Sequence, residues 1–144
     1  MTKRNRTIKV VSPHVKVVNV RSPEVVLREA IKKGNWFEGV VLSTIYLEKA
    51  SYYRLRNYLA SKRVRARPFL EGLSLYRLAQ ILEELRIVDQ KTHSLIGEIN
   101  RYRNKIVHET ETPDAIDPKE AKDIIEKALK CIKAIVASYK SVKK

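Results

Sequence analysis

Cysteine is almost missing from this chain. Cys131 stands alone, so no internal disulfide and no thiolate zinc cluster can form. Glycine is scarce too, with 4 in 144 residues, and no Walker loop, nucleophile elbow or dinucleotide fingerprint is present. The histidines are His14, His93 and His108, none at zinc spacing to another ligand. Neither a metal nor a cofactor is therefore expected. No uninterrupted apolar run approaches the roughly 18 residues that span a bilayer. The N-terminus is basic, but Pro13 and Lys16 break up the apolar segment behind it, so a signal peptide is not expected. A reducing cytoplasm is the expected compartment.

Acid is the other shortage. Asp and Glu total 16 against 30 Lys and Arg, a formal net charge of +14. That balance points to a polyanionic partner, nucleic acid first and an acidic membrane surface second. A merely soluble basic protein is the plain alternative. With 44% hydrophobic and 32% charged residues the composition is globular, and the length suits one domain with a real core. Few glutamines and many Lys, Arg, Glu, Val and Ile fit a thermophilic source.

What is present reads mostly as helix. Residues 1–21 form a basic N-terminal arm or short hairpin, rich in valine and interrupted at Ser12-Pro13-His14. Lys9, Lys16 and Arg21 occur there without any acid, so the arm suits a nucleic-acid backbone. Ser22-Pro23-Glu24 starts a helix that Gly34 ends near Lys33. Asn35 is expected to cap a long helix from Trp36 to about Ala60. Its apolar stripe runs through Phe37, Val40, Val41, Thr44, Ile45, Leu55, Tyr58 and Leu59. Residues 61–73 read as a linker with Pro68 and Gly72. Ser74 caps a helix over about 75–87, and Asp117-Pro118 opens the last one, to about Tyr139. Cys131 belongs to the core on this reading. Residues 22–140 form the helical domain and 141–144 a basic tail. The fold class is all-α, a four- to five-helix up-down bundle with a short N-terminal extended or β element.

Residues 52–67 interleave aromatics and bases with no acid. Arg54, Arg56, Lys62, Arg63, Arg65 and Arg67 suit phosphates, and Tyr52, Tyr53 and Tyr58 suit stacking on bases. That pattern favours single-stranded RNA. A solvated helix end with Tyr52 and Tyr58 packed inside is the alternative.

Residues 89–109 read as one helix capped by Asp89, with Pro113 beyond its end. Leu95, Ile96, Ile99, Tyr102, Ile106 and Val107 share a broad apolar arc. Arg103 falls inside that arc and should meet a carboxylate, a subunit interface or a ligand phosphate. Glu48 is likewise set in the stripe of the long helix. Glu48 and Arg103 are therefore expected to approach each other, either as a structural salt bridge or with Glu48 orienting the guanidinium toward a phosphate. His108 lies in the last turn, where the helix dipole favours an imidazolium. Arg101, Asn104 and His108 share a face. Arg103 and His108, five apart, diverge by about 140° on a regular helix. They meet only if the helix frays or a second subunit contributes.

Arg103-Asn104-Lys105-Ile106-Val107-His108 resembles the R-N-x-x-x-H signature of the HEPN superfamily, small helical domains of which many are metal-independent ribonucleases. The stretch from Gly34 to Ala50 also looks like the first long helix of those domains. The resemblance covers about residues 22–139. It implies a homodimer whose two motif helices build a composite cleft. It also implies in-line attack by an RNA 2′-hydroxyl, leaving a 2′,3′-cyclic phosphate and a 5′-hydroxyl. On that basis His108 is the general acid/base, Arg103 the phosphate stabiliser and Asn104 an orienting donor, with Glu48 and Arg101 in support. The partners implied are RNA, a second copy, and a cognate antitoxin or nucleotidyltransferase-like protein, in a toxin or antiviral setting. One departure stands out: the better-known toxins carry a tyrosine two residues after the histidine, where this chain has Thr110. The alternative function is a non-catalytic basic helical module that binds nucleic acid or serves a larger complex. A membrane-surface role is disfavoured because the apolar stripes look like core.

Overall fold

The structure, a computed structural model, describes the backbone of residues 8–12, 15–109 and 115–141, and the side chains of 21–109 and 115–138. Strands β1 (Ile8–Ser12) and β2 (Val15–Val20) pair antiparallel. Ile8 lies opposite Val20 and Val10 opposite Val18, with an irregularity between Val10 and Ser12. Everything described after them is helix and connection. The helices are α1 (Pro23–Lys33), α2 (Trp36–Ser61), α3 (Arg67–Leu70), α4 (Leu75–Glu84), α5 (Gln90–Glu109) and α6 (Pro118–Ser141). The chain is all-α in class. Its 4-residue α3 is a single turn inside the segment expected to be linker.

Local chemistry sets most of the helix ends. The Ser22 hydroxyl accepts the Val25 N–H at 3.3 Å, with Pro23 in the first turn. Gly34 takes the left-handed conformation at φ 69° and closes α1, so glycine is the natural residue there. Ser74 caps α4 by accepting the Arg77 N–H at 3.3 Å. The Asp89 carboxylate accepts the Thr92 N–H at 2.7 Å, which lowers its pKa and starts α5. Asn35 makes no side-chain cap bond, contrary to expectation; its backbone carbonyl accepts the Gly39 N–H at 2.8 Å instead. Helix α4 stops at Glu84, short of the expected end. Arg86 turns left-handed at φ 59°, and the Ile87 N–H closes back on the Leu82 carbonyl at 2.9 Å.

Helix α2 is the hub and packs on α1, α4, α5 and α6. Its buried face is Gly39, Val40, Ser43, Thr44, Leu47, Ser51, Arg54 and Leu55. Small residues on that face let α6 come close. A Cβ on Gly39 would stand 2.6 Å from Ile125 Cδ1 and 3.2 Å from Ala30 Cβ. Leu27, Leu47, Leu55, Leu82, Ile96, Ile99 and Ile125 are fully enclosed. Each such side chain contributes about 1.5–3 kcal/mol by burial. Cys131 is in the core, and burial pushes its thiol up to about 12, so it is no nucleophile.

Ion pairs tie the outer faces. Lys127 on α6 reaches Glu98 on α5 at 2.7 Å and Asp123 at 2.8 Å. Arg28 meets Glu126 at 3.6 Å and Lys133 meets Glu24 at 3.5 Å, both between α1 and α6. Hydrogen bonds from Lys33 and then Arg21 hold the Glu29 carboxyl at about 2. No described helix is long and apolar enough to cross a membrane.

Candidate nucleic-acid interface

The core-facing stripe of α5 runs Ile96, Ile99, Tyr102, Arg103, Ile106, the 3- and 4-residue spacing of one helical face. Ile96, Ile99 and Ile106 are buried, and Tyr102 and Arg103 are half-buried. Burial raises the Tyr102 phenol pKa, and the carboxylates of Glu120 and Asp117 raise it further. Val107 is 36% exposed, because one residue past Ile106 turns away from the core.

Arg103 sits within the apolar stripe as its spacing suggests, but among the described residues no carboxylate meets it. Its Nη1 donates to Asn104 Oδ1 at 3.0 Å. The expected approach of Glu48 does not occur: Glu48 is exposed, and no ion pair joins the two. The reason is the register of α2. Its inward face passes through Leu47 and Ser51, which leaves Glu48 on the flank.

The rest of the motif faces outward. Arg101, Asn104, Lys105 and His108 are all exposed. The Arg101 guanidinium lies back along the helix, where a Cβ on Gly97 would stand 3.4 Å from its Nη1. Among the described residues, Arg101, Arg103, Lys105 and His108 have no carboxylate partner. No hydrogen bond joins Arg103 to His108 within the chain. The acidic segment that follows, with Thr110, lies outside the described residues, as does His14.

The basic-aromatic segment divides. Arg56, Lys62, Arg63, Arg65 and Arg67 are exposed as expected. Arg54 is not: it is 4% exposed, and its Nε donates to Ser138 Oγ on α6 at 2.9 Å. It cannot serve as a surface phosphate contact. The spacing Leu47, Ser51, Arg54, Leu55 carries the signal that sequence reading missed, since these positions recur on one face.

Beside Arg56 lies a groove that the sequence did not disclose. A cavity of about 750 Å³ between α2 and the α3–α4 connection is lined by Tyr52, Tyr53, Arg56, Arg67 and Leu73, among others. An adjoining cavity of about 580 Å³ shares Arg56, Arg67 and Glu71 and adds Arg65. Tyr53 stands edge-on to Tyr52, ring centres 5.6 Å apart at 82°. Lys62 Nζ lies 5.9 Å from the Tyr58 ring centre.

His93, which is not at zinc spacing to another ligand, is half-buried against α4. Its Nδ1 contacts the Glu83 carboxylate, and its ring centre is 6.3 Å from that of Tyr76. No group of three or more His, Cys, Asp or Glu among the described residues is placed to hold a metal ion. No protein-family model matches the chain, and neither a curated protein nor a solved structure matches it.

Proposed function

We propose that this protein is a metal-independent endoribonuclease of the HEPN type, acting as a homodimer whose two α5 helices form one cleft. The observation that carries the reading is the end of α5. Among the described residues, Arg101, Lys105 and His108 are solvent-facing there and make no ion pair with a carboxylate, and Arg103 is half-buried beside them. Helices α1 and α6, by contrast, pair Arg28, Lys33, Lys127 and Lys133 with acids. A helix end that exposes these cations suits a phosphodiester. One chain does not complete the site, because Arg103 leans toward the core while His108 points to solvent.

The chemistry needs a base, an acid and a charge stabiliser. The His108 imidazole of one copy takes the proton of the 2′-hydroxyl. That oxygen bonds to phosphorus as the bond to the 5′-oxygen breaks. The imidazolium so formed returns that proton, relayed by water, to the leaving 5′-oxygen. Arg103 cannot deprotonate and stabilises the phosphorane oxygens. Its Nη1 donates to Asn104 Oδ1, which leaves the other guanidinium N–H groups to face the phosphate.

The test is cleavage of end-labelled RNAs in excess chelator, with the product ends typed. Cyclic-phosphate products are expected from the wild type. Folded His108→Ala should be roughly 10²–10⁴-fold slower, and Arg103→Ala roughly 10²–10³-fold slower. Undiminished cleavage by His108→Ala would refute the site. The arginine groove favours a second reading, a basic module that binds RNA without cutting it. Salt-sensitive binding with no cleavage across varied RNAs and temperatures would establish that one instead.

A further inference from the structure

The groove beside α3 is built differently from the α5 surface. Arg56 from α2 and Arg67 from the start of α3 line both of its adjoining cavities. The chain must fold back to place them together. Ala66 at 7% exposure and Leu70 at 3% anchor that return in the core. Arg65 lines the smaller cavity as well, so three arginines there face the single carboxylate of Glu71. In the larger cavity Lys49 and Glu48 offset each other.

Glu71 is a weak competitor for the arginines. Its contact with Arg67 Nε is 3.4 Å, and the two side chains are 67% and 82% exposed. Such exposed pairs contribute about 0–1 kcal/mol, so an incoming phosphate can displace it. Arg56 and Arg67 line the same cavities from separate elements, and two guanidinium forks can pair with the oxygens of one phosphodiester. Tyr53 lines the same cavity and is 54% exposed. Its half-buried neighbour Tyr52 holds it edge-on. An exposed, braced aromatic ring next to a phosphate clamp is the arrangement on which an unpaired base stacks. In a duplex the base faces are already stacked on one another and cannot be offered to it.

We infer that this groove is a binding site for single-stranded RNA, distinct from the α5 surface: Arg56 and Arg67 hold one phosphate, and Tyr53 stacks on the adjacent base. The inference rests on the RNA reading above but not on cleavage. The site holds the strand while the α5 surface acts elsewhere along it.

The test is fluorescence anisotropy with a labelled short oligouridylate and a labelled RNA duplex, across a salt series. Wild type should prefer the single strand. Tyr53→Ala should weaken single-strand binding roughly 5- to 100-fold, and Tyr53→Phe should restore it. Arg56→Gln with Arg67→Gln should flatten the slope of log affinity against log salt by about 0.7, one phosphate's share on a single strand. All these side chains are on the surface, so melting temperatures should match wild type. Unchanged single-strand affinity and slope in the groove variants would overturn the inference. If Arg101→Gln and Lys105→Gln carry the whole loss instead, the α5 reading stands without the groove. Displacement of the strand by equimolar uridine monophosphate would overturn it in favour of a free nucleotide. A wild-type protein that binds no RNA would remove the RNA reading itself, and this site with it.

Discussion

Arg54 and Arg56 stand two residues apart on α2 and do opposite things. On the sequence they belong to one run of bases and tyrosines. The helical turn of about 100° per residue separates them. Arg54 follows Leu47 and Ser51 into the contact with α6, while Arg56 is exposed at the groove. A guanidinium that is 4% exposed and bonded to Ser138 is a structural part of the α2–α6 contact. Arg54→Ala should therefore lower unfolding stability by about 1.5–3 kcal/mol, the range for a hydrogen bond to a charged group. Arg54→Lys should not restore it, because an ammonium cannot place a donor where Nε–H sits. Arg56→Ala should stay within about 0.5 kcal/mol of wild type, as exposed substitutions do. Urea titration of the three variants checks this. A neutral Arg54→Ala would show that the contact with Ser138 is incidental. Glu48 is the converse case. It looked buried because the apolar residues of α2 surround the helix, so the pattern alone did not say which arc faces inward.

At the scale of elements, what the sequence disclosed was local. Ser22, Gly34, Ser74 and Asp89 act within one turn of themselves, and each marks the helix end it should. The rotation of α2 about its axis is not local. It is settled by α6, which approaches where Gly39 removes a side chain. A double-mutant cycle tests that statement. Gly39→Ala places a Cβ 2.6 Å from Ile125 Cδ1, in a core that cannot yield freely. Overpacking of about 1–3 kcal/mol should outweigh the roughly 1 kcal/mol that alanine gains over glycine in a helix. Ile125→Val deletes the clashing methyl and alone should cost about 0.5–1.5 kcal/mol. Together the two should cost less than their sum, with a coupling of about 0.5–3 kcal/mol. Strict additivity would mean that Gly39 is not what sets the approach of α6. The groove was out of reach of the sequence for a related reason. Nothing in the spacing of Arg56 and Arg67 says that a single helical turn brings them to one surface.

The whole molecule poses the question of copy number. Arg103 and His108 diverge along one helix, and the structure leaves them facing different surroundings, one half-buried and one exposed. A site using both has to borrow one from a second chain. Two-fold symmetry makes that claim testable without a structure of the dimer. In a symmetric pair, Arg103 of each copy would serve His108 of the other, giving two composite sites. A dimer of Arg103→Ala chains has none intact, and neither does a dimer of His108→Ala chains. A mixed dimer places both substitutions in one site and leaves the other whole. Random exchange of equal amounts makes half of the dimers mixed, each with one of its two sites. Cleavage should then recover to about one quarter of the wild-type rate. The measurement is RNA cleavage after the two inactive variants are unfolded together and refolded, with each variant refolded alone as the blank. A site contained in one chain would recover nothing on mixing, because every chain would still carry a lesion. Recovery near a quarter would place the two residues across the dyad.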